Sequence, residues 1–211
     1  MSFTISNPFT YDFFKVVILI IMNIIGKESV SFIVRPSPFG MFAVLWADYG
    51  GLPGVCRVLL SKPGLPAEEL VRKKYPGIKL SGCDAITRIA DDIEAFLRGE
   101  NVSFSLECTR IENRTVFQQE VLRAEHGIPR GYVSTYKRIA GYIGRPESAR
   151  AVGTALAMNP FPIIIPCHRA IRSDGSLGGY QGGLEMKRKL LEMEGIGITH
   201  SGCVSTIKYF Y

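Results

Sequence analysis

Residues 134–159 read STYKRIAGYIGRPESARAVGTALAMN, and this stretch decides the fold of the second half of the chain. It predicts one helix over Thr135–Ile143, capped by Ser134, and a second helix over Glu147–Met158. The turn between them, GRP, supplies a glycine that ends the first helix and a proline that opens the second. Two short helices joined by such a turn are typical of a helix-turn-helix.

The second of these helices consists mostly of small side chains and carries one long basic side chain, Arg150. Small side chains allow another surface to approach closely, and that surface is either a packed neighbouring helix or a DNA groove. A helix that reads bases in the major groove carries several Arg, Asn or Gln side chains. With a single arginine, sequence-specific reading is not expected.

Upstream of residue 110 the pattern changes to short strands and amphipathic helices. Three runs rich in Val, Phe, Leu and Trp, separated by the turn groups PSPFG and YGGLPG, predict an antiparallel meander over Ser31–Arg35, Met41–Asp48 and Val55–Ser61. Helices are predicted over Ala67–Tyr75, from a cap at Asp84 to a stop at Gly99, and over Thr115–Ala124, and a further strand over Val102–Cys108.

The composition excludes several classes of protein. With 46% hydrophobic and 21% charged residues, a mainly disordered chain is excluded. The five cysteines are odd in number and widely spaced, which argues against a secreted disulfide framework and against a Cys/His zinc module. An intracellular protein with reduced thiols is favoured, and a single Cys83–Cys108 bridge stays open.

The positive charge is concentrated in the second half of the chain. Residues 1–109 hold 11 basic and 11 acidic residues, whereas residues 110–211 hold 14 basic and 8 acidic ones. All of the net charge of +6 therefore lies in the second half. This distribution is typical of a nucleic-acid-binding surface, although a solvated basic face has the same signature.

The candidate reactive group is Cys167, which follows the apolar run Phe161–Pro166 and directly precedes His168. A thiol beside an imidazole is a candidate activated nucleophile. Adjacent side chains rarely face each other, so proton transfer between them needs a relay, for which a water molecule is suitable. The alternative is a buried structural thiol.

Five motifs in order resemble the O6-alkylguanine-DNA alkyltransferases, also called methylated-DNA–protein-cysteine methyltransferases. Between Val116 and Gly195 the chain contains FQQEVL, STYKRIA, ARAVGTALAMNP, IIIPCHR and GGYQGGLEMKRKLLEMEG with the spacing of that family. The resemblance implies DNA repair by direct damage reversal. One alkyl group passes from O6-alkylguanine, and from O4-alkylthymine, to a cysteine in a single turnover, after minor-groove binding and nucleotide flipping.

The resemblance also assigns roles in the reaction. It makes Cys167 the alkyl acceptor, His168 the water-linked base and Glu194 the carboxylate that orients this histidine. Asn159 matches the residue that braces the turn of the nucleophile. Tyr136 matches the residue near the phosphate and base of the flipped nucleotide, and is a candidate proton donor to the departing guanine.

The DNA contacts and the guanine pocket follow from the same resemblance. Arg150 matches the finger that fills the gap left by the extruded base. The other expected DNA contacts are Ser134, Thr135, Tyr136, Ala149, Ala151 and Gly153. The expected pocket residues are Tyr136, Pro166, Ala170, Tyr180, Gln181 and Gly182. Gln181 stands where other members often carry serine or another small residue.

These inferences predict an α+β fold: a small strand-rich α/β N-terminal domain, then a mainly helical C-terminal DNA-binding domain with a winged-helix-like helix-turn-helix. The expected boundaries are an apolar leader over 1–28, domains over 29–109 and 110–195, and a tail over 196–211. The leader's apolar run, Phe13–Ile25, is shorter than the roughly 20 residues that cross a bilayer. A buried strand or short helix is favoured there over a membrane-associated segment.

The expected partner is double-stranded DNA bearing O6-alkylguanine, bound without sequence specificity by a monomer, with no cofactor, no metal and no membrane. The expected location is the cytoplasm, or the nucleus in a eukaryote. Two alternatives remain at this point: a non-catalytic helix-turn-helix regulator that binds DNA, and a Cys-His-Glu hydrolase.

Overall fold

The first half of the chain is built around a four-stranded sheet. The structure is a computed structural model that describes residues 30–205 and 208–211, so the predicted leader over 1–28 lies outside the described residues. The strands are β1 (Ser31–Arg35), β2 (Phe42–Asp48), β3 (Pro53–Leu60) and β4 (Lys79–Leu80), in the order β3-β2-β1-β4. The first three pair antiparallel, which confirms the predicted meander, and β4 adds a short parallel partner to β1.

Two helices cover this sheet, α1 (Ala67–Lys74) and α2 (Asp84–Leu97). Neighbouring residues of β1 point to opposite faces. Phe32 accordingly packs in one cluster with α1, whereas Ile33 packs in the larger core with α2. The predicted cap at Asp84 is wrong, because Cys83 occupies the cap position without a side-chain hydrogen bond and Asp84 is the first helical residue.

The predicted strand over Val102–Cys108 is also wrong. The segment is irregular and ends in a single 3₁₀ turn over Leu106–Cys108. Val102, Phe104 and Leu106 nevertheless all pack against the larger core. An extended segment buries alternate side chains in this way without a partner strand, and it therefore mimics the period of a strand.

The second half is mainly helical. Its helices are α3 (Val116–His126), α4 (Tyr136–Tyr142), α5 (Ala149–Ala157) and α6 (Leu184–Met193), and β5 (Ser134–Thr135) pairs in parallel with β6 (Ala170–Ile171). Helices α4 and α5 form the predicted helix-turn-helix. A 3₁₀ turn over Pro146–Ser148 precedes α5, so the proline opens this turn rather than the α-helix itself.

The cap of α4 is Thr135 and not Ser134 as predicted. The Thr135 hydroxyl accepts a hydrogen bond from the backbone amide of Arg138 at 3.1 Å. Ser134 is fully buried within β5. Where two candidate hydroxyls are adjacent, the strand pairing decides which of them faces the helix end.

Both halves contribute to one continuous core. The backbone amide of Val58 in β3 donates to the carbonyl of Pro160 at 2.7 Å, which joins the sheet to the segment that leads to Cys167. The fold is α+β, with its sheet in the first half and its helices concentrated in the second. Among the described residues, no helix is both long and apolar enough to cross a membrane, and all five cysteines are free thiols.

Candidate active site

A buried, tightly turned segment carries Cys167. Every residue from Phe161 to Pro166 is buried, and Ile163 adopts a positive φ of 76°. Asn159 braces this loop from inside: its amide nitrogen donates to the carbonyl of Ile165 at 3.0 Å, and its amide oxygen accepts from the backbone of Phe161 at 2.9 Å. The loop then passes into a single 3₁₀ turn, Cys167–Arg169. The thiol is thus fixed by backbone geometry.

His168 and Glu194 meet in the interior, although they are 26 residues apart in sequence. The ring atom Nε2 of His168 lies 2.8 Å from Oε1 of Glu194, and both side chains have no exposed surface. Glu194 is the C-cap residue that directly follows α6, so the end of that helix places the carboxylate beside the histidine.

Arg169 is a further member of this buried cluster. The sequence analysis did not predict a role for it. Its guanidinium donates to both oxygens of Glu194, at 2.9 Å and 2.8 Å, and a third hydrogen bond reaches the carbonyl of Ile128 at 2.5 Å. Bidentate pairing of this kind fixes the carboxylate in orientation as well as in charge. The motif itself offered the signal, because Arg169 directly follows His168.

The electrostatics of the cluster keep the resting histidine neutral. Burial lowers the pKa of His168, against the raising effect of the hydrogen bond to Glu194. Burial alone would raise the pKa of Glu194, but its hydrogen bonds and the neighbouring positive charge lower this pKa to about 2. The contacts with His168 contribute most to this lowering of the Glu194 pKa, and those with Arg169 add to it, so Glu194 is ionised at neutral pH.

An ionised Glu194 accepts hydrogen bonds only, so Nε2 of His168 must carry the proton. The other ring nitrogen, Nδ1, is then the basic one. It is buried and has no hydrogen-bond partner among the described residues. The imidazole is therefore oriented to accept a proton at Nδ1, and a positive charge formed there is stabilised by Glu194.

Burial raises the pKa of the Cys167 thiol to about 11, partly offset by the Asn159 amide and by the positive charge of Lys187. The resting group is therefore a protonated thiol, and a base is needed to generate the thiolate at neutral pH. Cys167, His168, Glu194 and Asn159 are brought together in the structure.

Tyr136 lies beside the loop predicted to form the guanine pocket. A Cβ atom on Gly178, which has a positive φ of 67°, would lie 2.6 Å from the Tyr136 hydroxyl, so only glycine permits this approach. Burial raises the pKa of Tyr136 to about 12, and the hydroxyl stays protonated. Of the other predicted pocket residues, Pro166, Ala170 and Gly182 are buried and Tyr180 and Gln181 are half-buried.

Two of the predicted pocket side chains carry unsatisfied polar atoms. The hydroxyl of Tyr180 and the amide oxygen of Gln181 are buried and have no hydrogen-bond partner among the described residues. A buried polar atom without a partner is costly, and a bound ligand with matching polar groups would remove that cost.

The predicted DNA-contacting residues fall into two groups. On α5, Arg150 and Ala151 are exposed, and Ala149 and Gly153 are half-buried, while Val152 on the opposite side is fully buried. The structure does not bring the side chains of Ser134 and Thr135 to the surface, since both are buried beneath the helix-turn-helix.

Two further buried charged residues near the cluster were missed from sequence. The Lys187 ammonium donates to the carbonyls of Ala170, at 2.6 Å, and of Leu177. Glu125 is fully buried on α3, and neither carboxylate oxygen has a hydrogen-bond partner among the described residues. Its position three residues after Leu122, on the apolar face of the helix, was the available signal.

Comparisons with known proteins agree on one family. The family model described as 6-O-methylguanine DNA methyltransferase, DNA binding domain, matches residues 116–196. The methylated-DNA–protein-cysteine methyltransferase of Methanothermobacter thermautotrophicus is 46% identical over 114 residues, which are 54% of this chain and 64% of that protein. The inducible enzyme of the same name from Bacillus subtilis is 38% identical over 141 residues, which are 65% of this chain and 78% of that protein. The chain thus spans just under two thirds of the length of the first relative.

Solved structures extend the similarity to the fold of both halves. The Mycobacterium tuberculosis OGT protein, solved in complex with DNA, aligns with a TM-score of 0.62 at 31% identity, over 78% of this chain and 92% of that one. The O6-methylguanine-DNA methyltransferase of the hyperthermophilic archaeon Pyrococcus kodakaraensis aligns with a TM-score of 0.57 at 26% identity, over 78% of this chain and 99% of that one.

Proposed function

Because this chain belongs to the methylated-DNA–protein-cysteine methyltransferase family of DNA-binding repair enzymes, we propose that it moves the alkyl group of O6-alkylguanine in DNA onto Sγ of Cys167. The observation that carries the proposal is the buried unit of Cys167, His168 and Glu194, in which a neutral histidine is held by an ionised carboxylate. A buried thiol with a high pKa needs this arrangement to react at neutral pH.

The transfer is a displacement at the alkyl carbon. The Cys167 proton passes to Nδ1 of His168 through a water molecule, and Glu194 stabilises the imidazolium that forms. The thiolate attacks the carbon, the S–C bond forms, and the bond from that carbon to guanine O6 breaks with its electron pair. Guanine takes up a proton as it leaves, and the Tyr136 hydroxyl, which stays protonated, is the proposed donor.

Single turnover follows from the product. A thioether has no easily expelled group, so neither water nor a neighbouring side chain displaces Cys167 to regenerate the thiol. Each molecule therefore acts once. The same displacement operates on O4-alkylthymine, whose alkyl carbon is likewise bonded to an exocyclic oxygen.

Access to the lesion requires the nucleotide to leave the duplex. The substituent on O6 lies inside the base stack, whereas Cys167 is only 7% exposed, so the base must come to the thiol. Flipping costs a few kcal/mol. The exposed face of α5, with small side chains around Arg150, is suited to enter the minor groove, and Arg150 then occupies the gap.

Binding is proposed to be independent of sequence, because the basic half supplies phosphate contacts and α5 lacks a set of base-reading side chains. We further propose that a monomer performs the repair, in the cytoplasm or, in a eukaryote, the nucleus. Residues 29–109 and 110–195 are the proposed domains, the second carrying the chemistry.

The test is incubation with a duplex that contains one O6-alkylguanine, followed by intact mass and product counting. We expect a permanent gain of one alkyl group per protein molecule and no turnover beyond one equivalent. Binding to the duplex with no mass gain would support the helix-turn-helix regulator. A transient adduct with many turnovers would support the Cys-His-Glu hydrolase.

A further inference from the structure

Residues Lys208–Tyr211 pack against the second half of the molecule. This segment is called here the C-terminal strap. Its backbone pairs with Val133: the Val133 amide donates to the carbonyl of Lys208 at 3.0 Å, and the Phe210 amide donates to the carbonyl of Val133 at 2.9 Å. Val133 directly precedes β5. The strap therefore continues the hydrogen bonding of the short strand that leads into α4.

Tyr211 joins the ends of two helices. Its hydroxyl donates to the carbonyl of Ala124, in the last turn of α3, at 2.9 Å. Its ring stacks on Tyr142, the last residue of α4, with 3.7 Å between ring centroids and 22° between the planes. One side chain thereby fixes where α4 lies relative to α3.

Arg138 on α4 holds the strap from a second point. Its guanidinium lies over the Tyr209 ring, 4.2 Å from the centroid, and it also donates to the backbone carbonyl of Tyr211. The strap thus contacts α4 in its first turn, through Arg138, and again at its end, through Tyr142.

We propose that the strap positions helix α4 and Tyr136 for holding the flipped nucleotide, as a positioning element that lies outside the chemical step. This rests on the proposed function, in which Tyr136 contacts that nucleotide. Helix α4 has only seven residues, and a helix this short depends on tertiary contacts for its placement. The hydrogen bonds and ring contacts that the strap makes with described residues are to Ala124 and residues 132–142, and not to Cys167, His168 or Glu194.

The sharpest probe is Gly127→Ala, which leaves the strap sequence intact. Gly127 has a φ of −70°, so alanine fits its backbone. The added Cβ would lie 2.9 Å from the Tyr211 hydroxyl oxygen, and its other neighbours are at ordinary distances of 3.4 Å or more. The substitution therefore pushes mainly on the phenol. Tyr211→Phe removes the oxygen that is pushed and keeps the stacked ring.

The readout is the ratio of two rate constants for alkyl transfer: that with an alkylated duplex to that with free O6-benzylguanine. We expect Gly127→Ala to lower this ratio about tenfold, since a small misplacement of a positioning group has effects of this size or larger. Adding Tyr211→Phe should restore the ratio to within about threefold of the starting value. Tyr211→Ala alone should lower it as Gly127→Ala does.

Tyr75→Ala is the matched control, because Tyr75 is a partly buried tyrosine that packs with α1 in the first half. It should reduce stability and leave the ratio unchanged. An unchanged ratio in Gly127→Ala, or no restoration by Tyr211→Phe, would overturn the proposal. Absence of alkyl transfer from the O6-alkylguanine duplex to the unmodified chain would instead overturn the proposed function, so the two failures are distinguishable.

Discussion

At the scale of single residues, the reaction depends on how burial distributes protons between Cys167, His168 and Glu194. Burial holds Cys167 as a thiol and His168 as a neutral imidazole, while the contacts with His168 and Arg169 keep Glu194 ionised. Only a coupled transfer gives a thiolate in such surroundings, since an isolated thiolate at this position would be costly.

Glu194→Gln tests this coupling. The variant retains a hydrogen-bond acceptor for His168 but loses the charge that stabilises the imidazolium. We expect transfer to free O6-benzylguanine to slow by roughly 10²-fold near neutral pH. The pKa of Cys167 is about 11, so the direct thiolate fraction rises about tenfold per pH unit below that value, and the deficit should shrink as the pH rises. Glu192→Gln, an exposed change on α6, is the control. A deficit that is constant with pH would contradict the relay.

Glu125 gives a stability prediction with a defined sign. Burial raises its pKa to about 8, against the opposing charges of Lys187 and Arg169. A carboxyl whose pKa is higher in the folded state than its ordinary value of 4.5 destabilises the fold progressively as the pH rises from about 4.5 to about 8. Glu125→Gln removes this cost.

The variant should therefore exceed the original chain in free energy of unfolding by an amount that grows through this window, to roughly 4 kcal/mol near pH 8. Denaturant unfolding near pH 5 and pH 8 measures it. Glu120→Gln, a half-buried change on the same helix that removes the ion pair with Arg145, is the control for the loss of a carboxylate. A difference that does not change with pH would mean that Glu125 is ionised throughout.

At the scale of elements, the proposed DNA-binding surface of α5 is distinct from the reactive cluster. Arg150, Ala151 and Ala157 lie at the surface, and the buried side of the helix anchors it to the core through Val152, Ala155 and Leu156. This division is the physical basis for assigning Arg150 to the duplex and not to the thiol.

Arg150→Ala should slow repair of an alkylated duplex at least tenfold and change transfer from free O6-benzylguanine by less than about twofold, because the free base needs no flipping. Parallel rate measurements on the two substrates check this. Arg123→Ala removes an equal charge from the exposed side of α3 and should affect both substrates weakly. Equal losses on both substrates in Arg150→Ala would point to a folding defect.

Much of the element pattern follows from the sequence, because local signals control it. Turn residues and apolar periods predict the meander and both helices of the helix-turn-helix. The strand prediction over Val102–Cys108 was wrong because an extended segment packed on a core has the period of a strand. The prediction of Ser134 as the cap of α4 was wrong because strand pairing at β5, and not local propensity, decides which hydroxyl caps this helix. Both errors arise from tertiary contacts that a local pattern does not contain.

The same distinction applies to the site. Cys167, His168, Asn159 and Glu194 were recognisable because their motif fixes their spacing. Arg169, Lys187 and Glu125 were not singled out, since charged side chains are usually exposed. Only the packed structure shows these three buried next to the nucleophile.

At the scale of the whole molecule, the first half supports the site without contributing a reactive group. Its sheet is tied to the loop of the nucleophile through Val58 and Pro160, and Phe96 of α2 packs near the His168 ring with 6.0 Å between centroids. The excess positive charge stays in the second half. The first half therefore supports the site, and the second carries the reactive cluster and the proposed DNA-binding surface.

The central claim is that Cys167 alone accepts the alkyl group, and mapping the adduct tests it most directly. The protein is reacted with a duplex containing O6-benzylguanine, digested, and its five cysteine-containing sites are compared by peptide mass with those of Cys167→Ala. We predict one benzyl group on the peptide of Cys167, none on the other four cysteines, and no adduct in Cys167→Ala, which should still bind the lesion duplex. A benzyl group on another cysteine, or uptake by Cys167→Ala, would contradict the assignment of the nucleophile.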